Sequence, residues 1–293
     1  MSKTLPRKCT FCDSSKLSRT HIWPDWLEKL LSPGRHRSEE LETPTYTAPT
    51  HSAVVRERKL KQGSLFSQKP YLACETCNTG WMKQFEDEMV KFAKPIFTSS
   101  TNLTINHYQI RVMAVWVSLI TVLAEYIGHS QGSIGISEGE RKHLKKILKP
   151  PDNWSIFVAS LDGEIWSARY RHHAYRITEF ADLTEPFSKF GQHIPVSTQI
   201  SSFGMGRIFV QVFSSPNQRL VTDFRIWAKA TGLSQLWPSP SGLWPLRSLR
   251  GSVEFPTRRV LNDDEAEVLA NEFNEIINVM TRPTQFGGRE GTG

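Results

Sequence analysis

Several chemical signatures are missing from this sequence, and each absence excludes a class of protein. Only four of the 293 residues are cysteine, which is too few for a small secreted domain held together by disulfides. The longest apolar run, residues 112–124, has 13 residues, whereas a membrane-spanning helix needs about 20. Polar residues 9–16 stand where the apolar core of a signal peptide would lie. We therefore expect a cytoplasmic protein without a membrane segment.

Motifs of several common enzyme classes are also missing. The sequence contains no phosphate-binding glycine loop, no dinucleotide-binding fingerprint and no Ser/His/Asp arrangement. Hydrophobic residues are nevertheless plentiful, at 39% of the chain, and they include 16 Phe and 9 Trp. This composition can bury a core, so a mainly disordered chain is excluded.

Positive charge is concentrated near the N-terminus. The formal net charge is +7, and residues 1–70 hold 13 Lys and Arg against 7 Asp and Glu. A basic excess favours a polyanionic partner such as nucleic acid. The densest basic cluster is Arg56, Arg58, Lys59 and Lys61. We expect it to contact DNA phosphates, which supply most non-specific affinity; the alternative is a solvated loop.

Hydrophobic periodicity and stop signals predict an α+β protein with two domains. Residues 1–98 are expected to form a zinc-binding domain, residues 99–282 a second domain, and residues 283–293 a disordered tail. In the second domain, a long helix at 106–127 and a last helix from Asn262, capped by Glu265, flank antiparallel strands. Asp162-Gly163 predicts a hairpin between 154–160 and 164–170. Segments 207–213 and 220–228 are predicted to form another strand pair.

Shorter helices are predicted at residues 24–31, 79–93 and 137–148. Pro24 suits the first turn of a helix because its missing N–H has no partner there. Ser137 and Glu140 have the spacing of a capping box. Residues 35–70 between the first two helices are predicted to be a long loop with one strand near 53–58.

All four cysteines fall into two C-x-x-C pairs, Cys9/Cys12 and Cys74/Cys77. Two intervening residues let one backbone turn direct both thiolates at one ion, and two such turns complete the tetrahedral coordination of zinc. The alternative is a redox dithiol, but that chemistry needs only one pair, placed at the start of a helix. The spacing therefore predicts a structural zinc ion, whose binding would be coupled to folding because it closes a 61-residue loop.

The order of residues around these pairs resembles the zinc-containing HNH endonucleases of the ββα-metal class. A C-x-x-C pair is followed by a histidine that leads into a proline–tryptophan helix, and the second pair continues as Cys-Asn-x-Gly-Trp-Met. The matching residues lie within 9–92. They are Cys9, Cys12, His21, Pro24, Trp26, Leu27, Cys74, Cys77, Asn78, Gly80, Trp81, Met82 and Glu86.

The resemblance implies a zinc-stapled ββα-metal domain that cleaves DNA with the help of Mg²⁺ or Mn²⁺. His21 would be the general base that takes a proton from the attacking water. Asn78 would correspond to the N of the family's HNH motif or would be a ligand of the catalytic ion. Thr20 and Glu86 complete the candidate ligand set for that ion.

The sequence departs from the family pattern at three positions. Thr20 stands where a carboxylate or histidine ligand is usual, Lys69 where an asparagine is often found, and Met82 where a second histidine is often found. We expect Thr20→Asp to strengthen the ion site. The alternative function is a non-catalytic zinc module that binds nucleic acid or a protein partner, and RNA is a further candidate substrate. Trp23, Trp26 and Trp81 are predicted to be core residues rather than stacking surfaces.

Overall fold

A computed structural model of the chain describes residues 8–31, 45–47, 66, 68–99, 102–126, 135–176, 198–238, 253–255 and 257–280. Helices and sheets are mixed in it, which confirms the α+β class. The strands are β1 (Leu17–Arg19), β2 (Thr45–Thr47), β3 (Tyr71–Cys74), β4 (Leu103–Ile105), β5 (Trp154–Leu161), β6 (Ala168–Arg176), β7 (Thr198–Met205), β8 (Ile208–Ser214), β9 (Ser234–Trp237), β10 (Val253–Phe255) and β11 (Val260–Leu261). The helices are α1 (Asp25–Leu30), α2 (Glu75–Cys77), α3 (Lys83–Thr98), α4 (His107–Ala124), α5 (Glu138–Ile147), α6 (Gln218–Ala230) and α7 (Asp263–Met280).

The N-terminal part is a two-stranded antiparallel sheet followed by helices. β1 pairs with β3, and Leu17 lies opposite Cys74. β3 leads through α2 and a wide turn, Asn78–Met82, into α3, and the helical geometry is interrupted at Gly80. The kink changes the direction of the chain between the second cysteine pair and the long helix.

The larger sheet has two buried faces. In the described residues it contains seven strands in the order β11-β5-β8-β7-β6-β2, with β9 also paired to β5. Strand β8 shows the alternation, because Ile208, Val210 and Val212 join the cluster that contains α4. Phe209 and Phe213 join the other cluster, with α6 and α7. The sheet is therefore a middle layer between two sets of helices.

Helix α4 is the central core helix. Its length and composition alone would let it cross a membrane, but 78% of it is buried inside the structure. Residues from Val112 to Ala124 are buried continuously. A helix that is apolar on all sides is typical of the interior of a protein with neighbours on every face.

Most predicted helices are confirmed, together with their caps. The Ser137–Glu140 capping box starts α5, and Asn262 and Glu265 exchange the corresponding bonds at the start of α7. The predicted end of α3 at Pro95 is wrong, since the helix continues to Thr98. The loop predicted over 35–70 contains β2, which pairs parallel to β6. The strand predicted near 53–58 and the tail at 283–293 lie outside the described residues.

The hairpin predicted at Asp162-Gly163 is wrong. β5 pairs antiparallel with β8 and not with β6. The segment after Gly163 is instead held by Asp263, whose carboxylate accepts the backbone N–H groups of residues 164, 165 and 166. A contact with a residue 97 to 99 positions away thus replaces the local turn.

The strand predicted at 220–228 is also wrong, because this segment is helix α6. The Asn217 side chain caps it by accepting from the N–H groups of Arg219 and Leu220. The buried positions Leu220, Val221, Phe224 and Ala228 follow a helical spacing rather than a strand alternation.

The predicted domain boundary near residue 98 stays a prediction. One hydrophobic cluster contains side chains from both sides of it. Trp26 contacts Trp116 of α4, with ring centroids 5.7 Å apart, and Trp23 contacts Phe203 of β7 at 5.7 Å. Trp23 is therefore a core residue, as predicted. The N-terminal part is joined to the rest of the protein by aromatic packing.

A buried polar cluster secures the end of α4 against the sheet. Glu125 is fully buried, and its Oε1 accepts from the N–H groups of Gly135 and Ile136 at 2.8 and 3.0 Å. The same oxygen lies 3.7 Å from His172 Nε2 of β6, while His172 Nδ1 lies 2.8 Å from the Ser201 hydroxyl. Burial raises the pKa of Glu125 to about 8, against the opposing effects of Arg141 and the two N–H groups.

Replacement of Trp116, which is 1% exposed, tests the joint core. We expect Trp116→Ala to lower the free energy of unfolding by about 3–5 kcal/mol, because it removes a large buried ring and leaves a cavity. Chemical denaturation followed by circular dichroism measures the change. Ile226→Ala, at a position that is 63% exposed on α6, is the control and should change stability by about 0.5 kcal/mol or less. Equal effects of the two variants would contradict the packing described here.

Stability should depend on pH through Glu125. Its pKa is raised in the folded state from 4.5 to about 8, so its contribution is complete below the lower value and is lost as pH rises through the upper one. Glu125→Gln cannot ionise. The variant should therefore gain stability relative to the wild type as pH increases, by up to about 1.4 kcal/mol per pH unit. Denaturation curves at several pH values measure this difference, and a difference between the two proteins that stays constant with pH would contradict the prediction.

Candidate metal centre and adjoining cleft

The four cysteines form one compact cluster, called here the cysteine cluster. Their sulfur atoms all lie within 4.8 Å of one another. Cys12 Sγ is 3.7 Å from Cys74 Sγ and 3.8 Å from Cys77 Sγ. Four sulfurs bound at about 2.3 Å around a tetrahedral ion are about 3.8 Å apart, whereas a disulfide bond is about 2.05 Å long. The cysteine cluster could therefore hold a metal ion such as zinc.

Local turns and strand pairing place these thiols. In the first pair, Cys9 N–H donates to the Ser14 carbonyl and Cys12 N–H to the Cys9 carbonyl. In the second pair, Cys74 ends β3 and Cys77 ends α2. Pairing of β1 with β3 brings the two turns together across 61 residues of chain.

The thiols differ in pKa because burial dominates at Cys77 and hydrogen bonds dominate at Cys12. Burial raises the pKa of Cys77 to about 12. It also opposes ionisation of Cys12, but hydrogen bonds from the Ser14 backbone and the other thiols outweigh this effect and lower its pKa to about 7. Lys145 of α5 lies beside Cys77, and although partial burial disfavours its charge, the nearby thiols raise its pKa. A cation is thus already placed next to sulfurs that carry negative charge as metal ligands.

A cleft of about 40 Å³ is lined by Asn78, the residue that follows Cys77 in the sequence. His21, Asn78, Met82 and Glu86 line one side of it, and α4 lines the other with Trp116, Leu119, Ile120 and Leu123. The volume has room for roughly three water molecules. Three residues selected from the sequence as catalytic candidates, His21, Asn78 and Glu86, are therefore brought to one place.

Asn78 fixes the strand end that leads to His21. Its side-chain amide donates to the Arg19 carbonyl at 2.9 Å and to the Ser18 hydroxyl at 3.3 Å. Both acceptors lie at the end of β1. The residue that follows the cysteine cluster thus holds the segment from which the histidine extends.

Sequence reasoning missed Asp25 as a neighbour of His21. His21 Nε2 lies 3.4 Å from Asp25 Oδ1, one helical turn along the chain. The same Asp25 oxygen lies 3.5 Å from Lys69 Nζ. The i,i+4 spacing of His21 and Asp25 could have predicted their contact from the sequence. The contact of Lys69 with Asp25 could not be predicted in this way, because the two residues meet only in the folded protein.

Glu86 is half-buried in the cleft. Burial raises its pKa, and Lys83 acts in the opposite direction. Met82 is almost fully buried beside it. A carboxylate that borders the apolar face of α4 is costly to ionise without a cation nearby.

Thr20 does not line the cleft. It is fully buried, and its hydroxyl donates to the Ser18 carbonyl and accepts from the Ala73 N–H. Both roles lie within the pairing of β1 and β3, so Thr20 is a structural residue of the small sheet. The expectation that Thr20→Asp strengthens an ion site is corrected accordingly, because the substitution would bury a carboxylate inside the sheet.

Among the described residues, the cysteine cluster is the one group of three or more His, Cys, Asp or Glu side chains close enough to share a metal ion. Within that described part of the chain, a catalytic Mg²⁺ or Mn²⁺ ion has no comparable ligand group. The basic cluster of Arg56, Arg58, Lys59 and Lys61 lies outside the described residues. Of the other tryptophans, Trp81 packs edge-on against Phe11 with ring centroids 5.1 Å apart.

Comparison of the chain with protein-family models, with curated proteins and with solved structures finds no match. The HNH resemblance therefore rests on the residues themselves, and the four-cysteine cluster is the part of it for which the structure provides geometry.

Proposed function

We propose that this chain is a zinc-stapled endonuclease of the ββα-metal type that cleaves DNA phosphodiester bonds. One observation carries the proposal. His21 and Asn78, which are 57 residues apart in the sequence, line the same cleft as Glu86. Asn78 also directly follows Cys77, the last residue of the cysteine cluster. The antiparallel pairing of β1 with β3, which is followed by α2 and α3, supports the proposal of a ββα unit.

Zinc is the metal that best fits the cysteine cluster. Four thiolates in two C-x-x-C turns form a closed tetrahedral site, which is typical of structural rather than catalytic zinc. The ion would hold together the first turn, β1 and β3, on which the position of His21 depends. The zinc ion would therefore have a structural role, and the residues of the cleft would carry out the reaction.

In the proposed reaction, His21 takes a proton from a water molecule as that water attacks phosphorus. The bond from phosphorus to the leaving sugar oxygen breaks, and that oxygen takes a proton from solvent. Asn78 would keep the end of β1 in place through its bond to the Arg19 carbonyl, and with it the segment that carries His21. Glu86 would hold a divalent cation together with the substrate phosphate, since Mg²⁺ is commonly bound through one or two carboxylates and retains several waters. That ion, when bound, offsets the charge that develops on the phosphate oxygens.

A second candidate is a zinc module that binds nucleic acid or a protein partner without cleaving it. Two observations favour this reading. Thr20, in the usual ligand position, is buried and hydrogen-bonded within the sheet. Among the described residues, only the cysteines form a metal-binding group of three or more side chains.

The zinc site predicts the metal content of the purified protein. We expect about one zinc ion per chain, and Cys74→Ser should lose it because three thiolates and a hydroxyl cannot complete the site. Elemental analysis measures the zinc, and circular dichroism reports the accompanying loss of folded structure. Ser15→Ala, at an exposed position beside the first turn, should keep its zinc. A folded wild-type protein without metal would contradict this assignment.

The cleavage step predicts a specific loss for His21→Ala. A positioned general base contributes about 10²–10⁴-fold to a rate, so plasmid nicking in Mg²⁺ or Mn²⁺ should fall by that factor while zinc content stays unchanged. His143→Ala on α5 is the matched control and should cut like the wild type.

Two results would decide for the non-catalytic module. The first is a wild-type protein that carries zinc and binds DNA but does not nick it with any divalent ion. The second is a His21→Ala variant that melts at a lower temperature without any change in a residual nicking rate. The second result would show that His21 and Asp25 form a structural pair at the start of α1.

A further inference from the structure

An arginine and a tyrosine face the solvent together at one end of the small sheet. Arg19 on β1 lies opposite Tyr71 on β3. The Arg19 guanidinium carbon is 5.9 Å from the centre of the tyrosine ring, and Nε donates to the phenol oxygen at 3.4 Å. Tyr71 is nevertheless 48% exposed. A large aromatic ring held at the surface next to a planar cation is the kind of arrangement that binds nucleotides.

An irregularity in the small sheet creates this pair. The register of β1 and β3 shifts between Ser18 and Arg19, so that Leu72 has no partner in β1. Its carbonyl instead accepts from both the N–H and the hydroxyl of Thr10, each at 2.9 Å. Thr10 lies within the first cysteine pair, and the shift brings Tyr71 opposite Arg19.

The Arg19–Tyr71 pair is also connected to the cleft. The Arg19 carbonyl accepts from Asn78, which lines the cleft. Arg19 and His21 are on either side of the buried Thr20, and both are accessible to solvent. Two residues of extended chain span roughly 6.6 Å, so the guanidinium is within reach of a phosphate group adjacent to one placed at His21.

The charge of Arg19 is available for such a contact. In the part of the chain that the structure describes, no carboxylate forms an ion pair with it. Its Nε is used by Tyr71, which leaves the two Nη groups for phosphate oxygens. Arginine binds phosphate through two parallel hydrogen bonds, and these are stronger than bonds between neutral groups.

We propose that Arg19 and Tyr71 form a contact site for an unpaired DNA strand that runs into the cleft. Arg19 binds the backbone phosphate next to the reacting one, and the Tyr71 ring stacks on a base. Bases within a duplex are stacked on each other, so a ring on the protein surface can stack only on a base that is unpaired. The inference rests on the nucleic-acid part of the proposed function but does not require cleavage.

Fluorescence anisotropy with a labelled 20-nucleotide single strand tests the site. It is carried out in the His21→Ala background without added Mg²⁺ or Mn²⁺, so that binding is separated from cleavage. Loss of one stacked base should weaken binding of Tyr71→Leu by about 5- to 150-fold, whereas Tyr71→Phe should bind like the parent. Arg19→Ala should make the slope of log affinity against log salt less steep by about 0.7, the value for one phosphate of a single strand, while Arg19→Lys should keep the slope.

Matched controls separate these effects from general changes at the surface. Tyr108→Leu replaces a tyrosine of similar exposure on α4, and Arg219→Ala removes an exposed arginine on α6. Neither should change affinity or salt slope. Every variant should also retain the zinc content and the circular dichroism spectrum of the parent.

The outcomes distinguish this inference from the proposed nuclease activity. If the wild type does not cut DNA but Tyr71→Leu and Arg19→Ala lose single-strand binding as stated, the site stands without the nuclease. If the wild type cuts DNA and both variants bind the single strand like their His21→Ala parent, with the same salt slope, the site is overturned and the nuclease stands. A loss for Tyr71→Leu that is equally large on a fully paired duplex also overturns the assignment to unpaired DNA.

Discussion

The pairing of β1 with β3 is the constraint on which the N-terminal part depends. It joins two segments separated by a loop of more than 50 residues, and the sheet has only three to four residues on each strand. Such a short ladder would be marginal by itself. The cysteine cluster lies at the point where the strands meet, with Leu17 opposite Cys74. A metal ion there would supply the closure energy that the short strands lack.

The same pairing determines what surrounds it. Thr20 closes the sheet from β1 with its bond to Ala73, Thr10 holds the displaced Leu72 carbonyl, and Asn78 returns to the Arg19 carbonyl. Each of these bonds joins the neighbourhood of one cysteine pair to the strand of the other. The position of His21 therefore depends on the contacts around the cysteine cluster, although the histidine does not belong to that cluster.

The sequence predicted the features that depend on local spacing. The two C-x-x-C pairs, the capping boxes and the burial of α4 all follow from patterns within a few turns of chain. The wrong or missing predictions concern segments whose structure is determined by contacts with residues far away in the sequence. Asp263 organises the segment that was predicted as a hairpin, and the contact of Asp25 with Lys69 exists only after folding. The α6 segment differs, since its helical spacing was present and was assigned the wrong period.

The apolar wall of the cleft also has an electrostatic consequence for Glu86. Helix α4 contributes Trp116, Leu119, Ile120 and Leu123 to the cleft, and burial against such a surface raises the pKa of Glu86. A carboxylate that loses solvation on ionising gains more from a nearby cation than one in open water. The helix that joins the N-terminal part to the large sheet thus also raises the cost of ionising Glu86. A cation bound at Glu86 would lower this cost by stabilising the ionised form of the side chain.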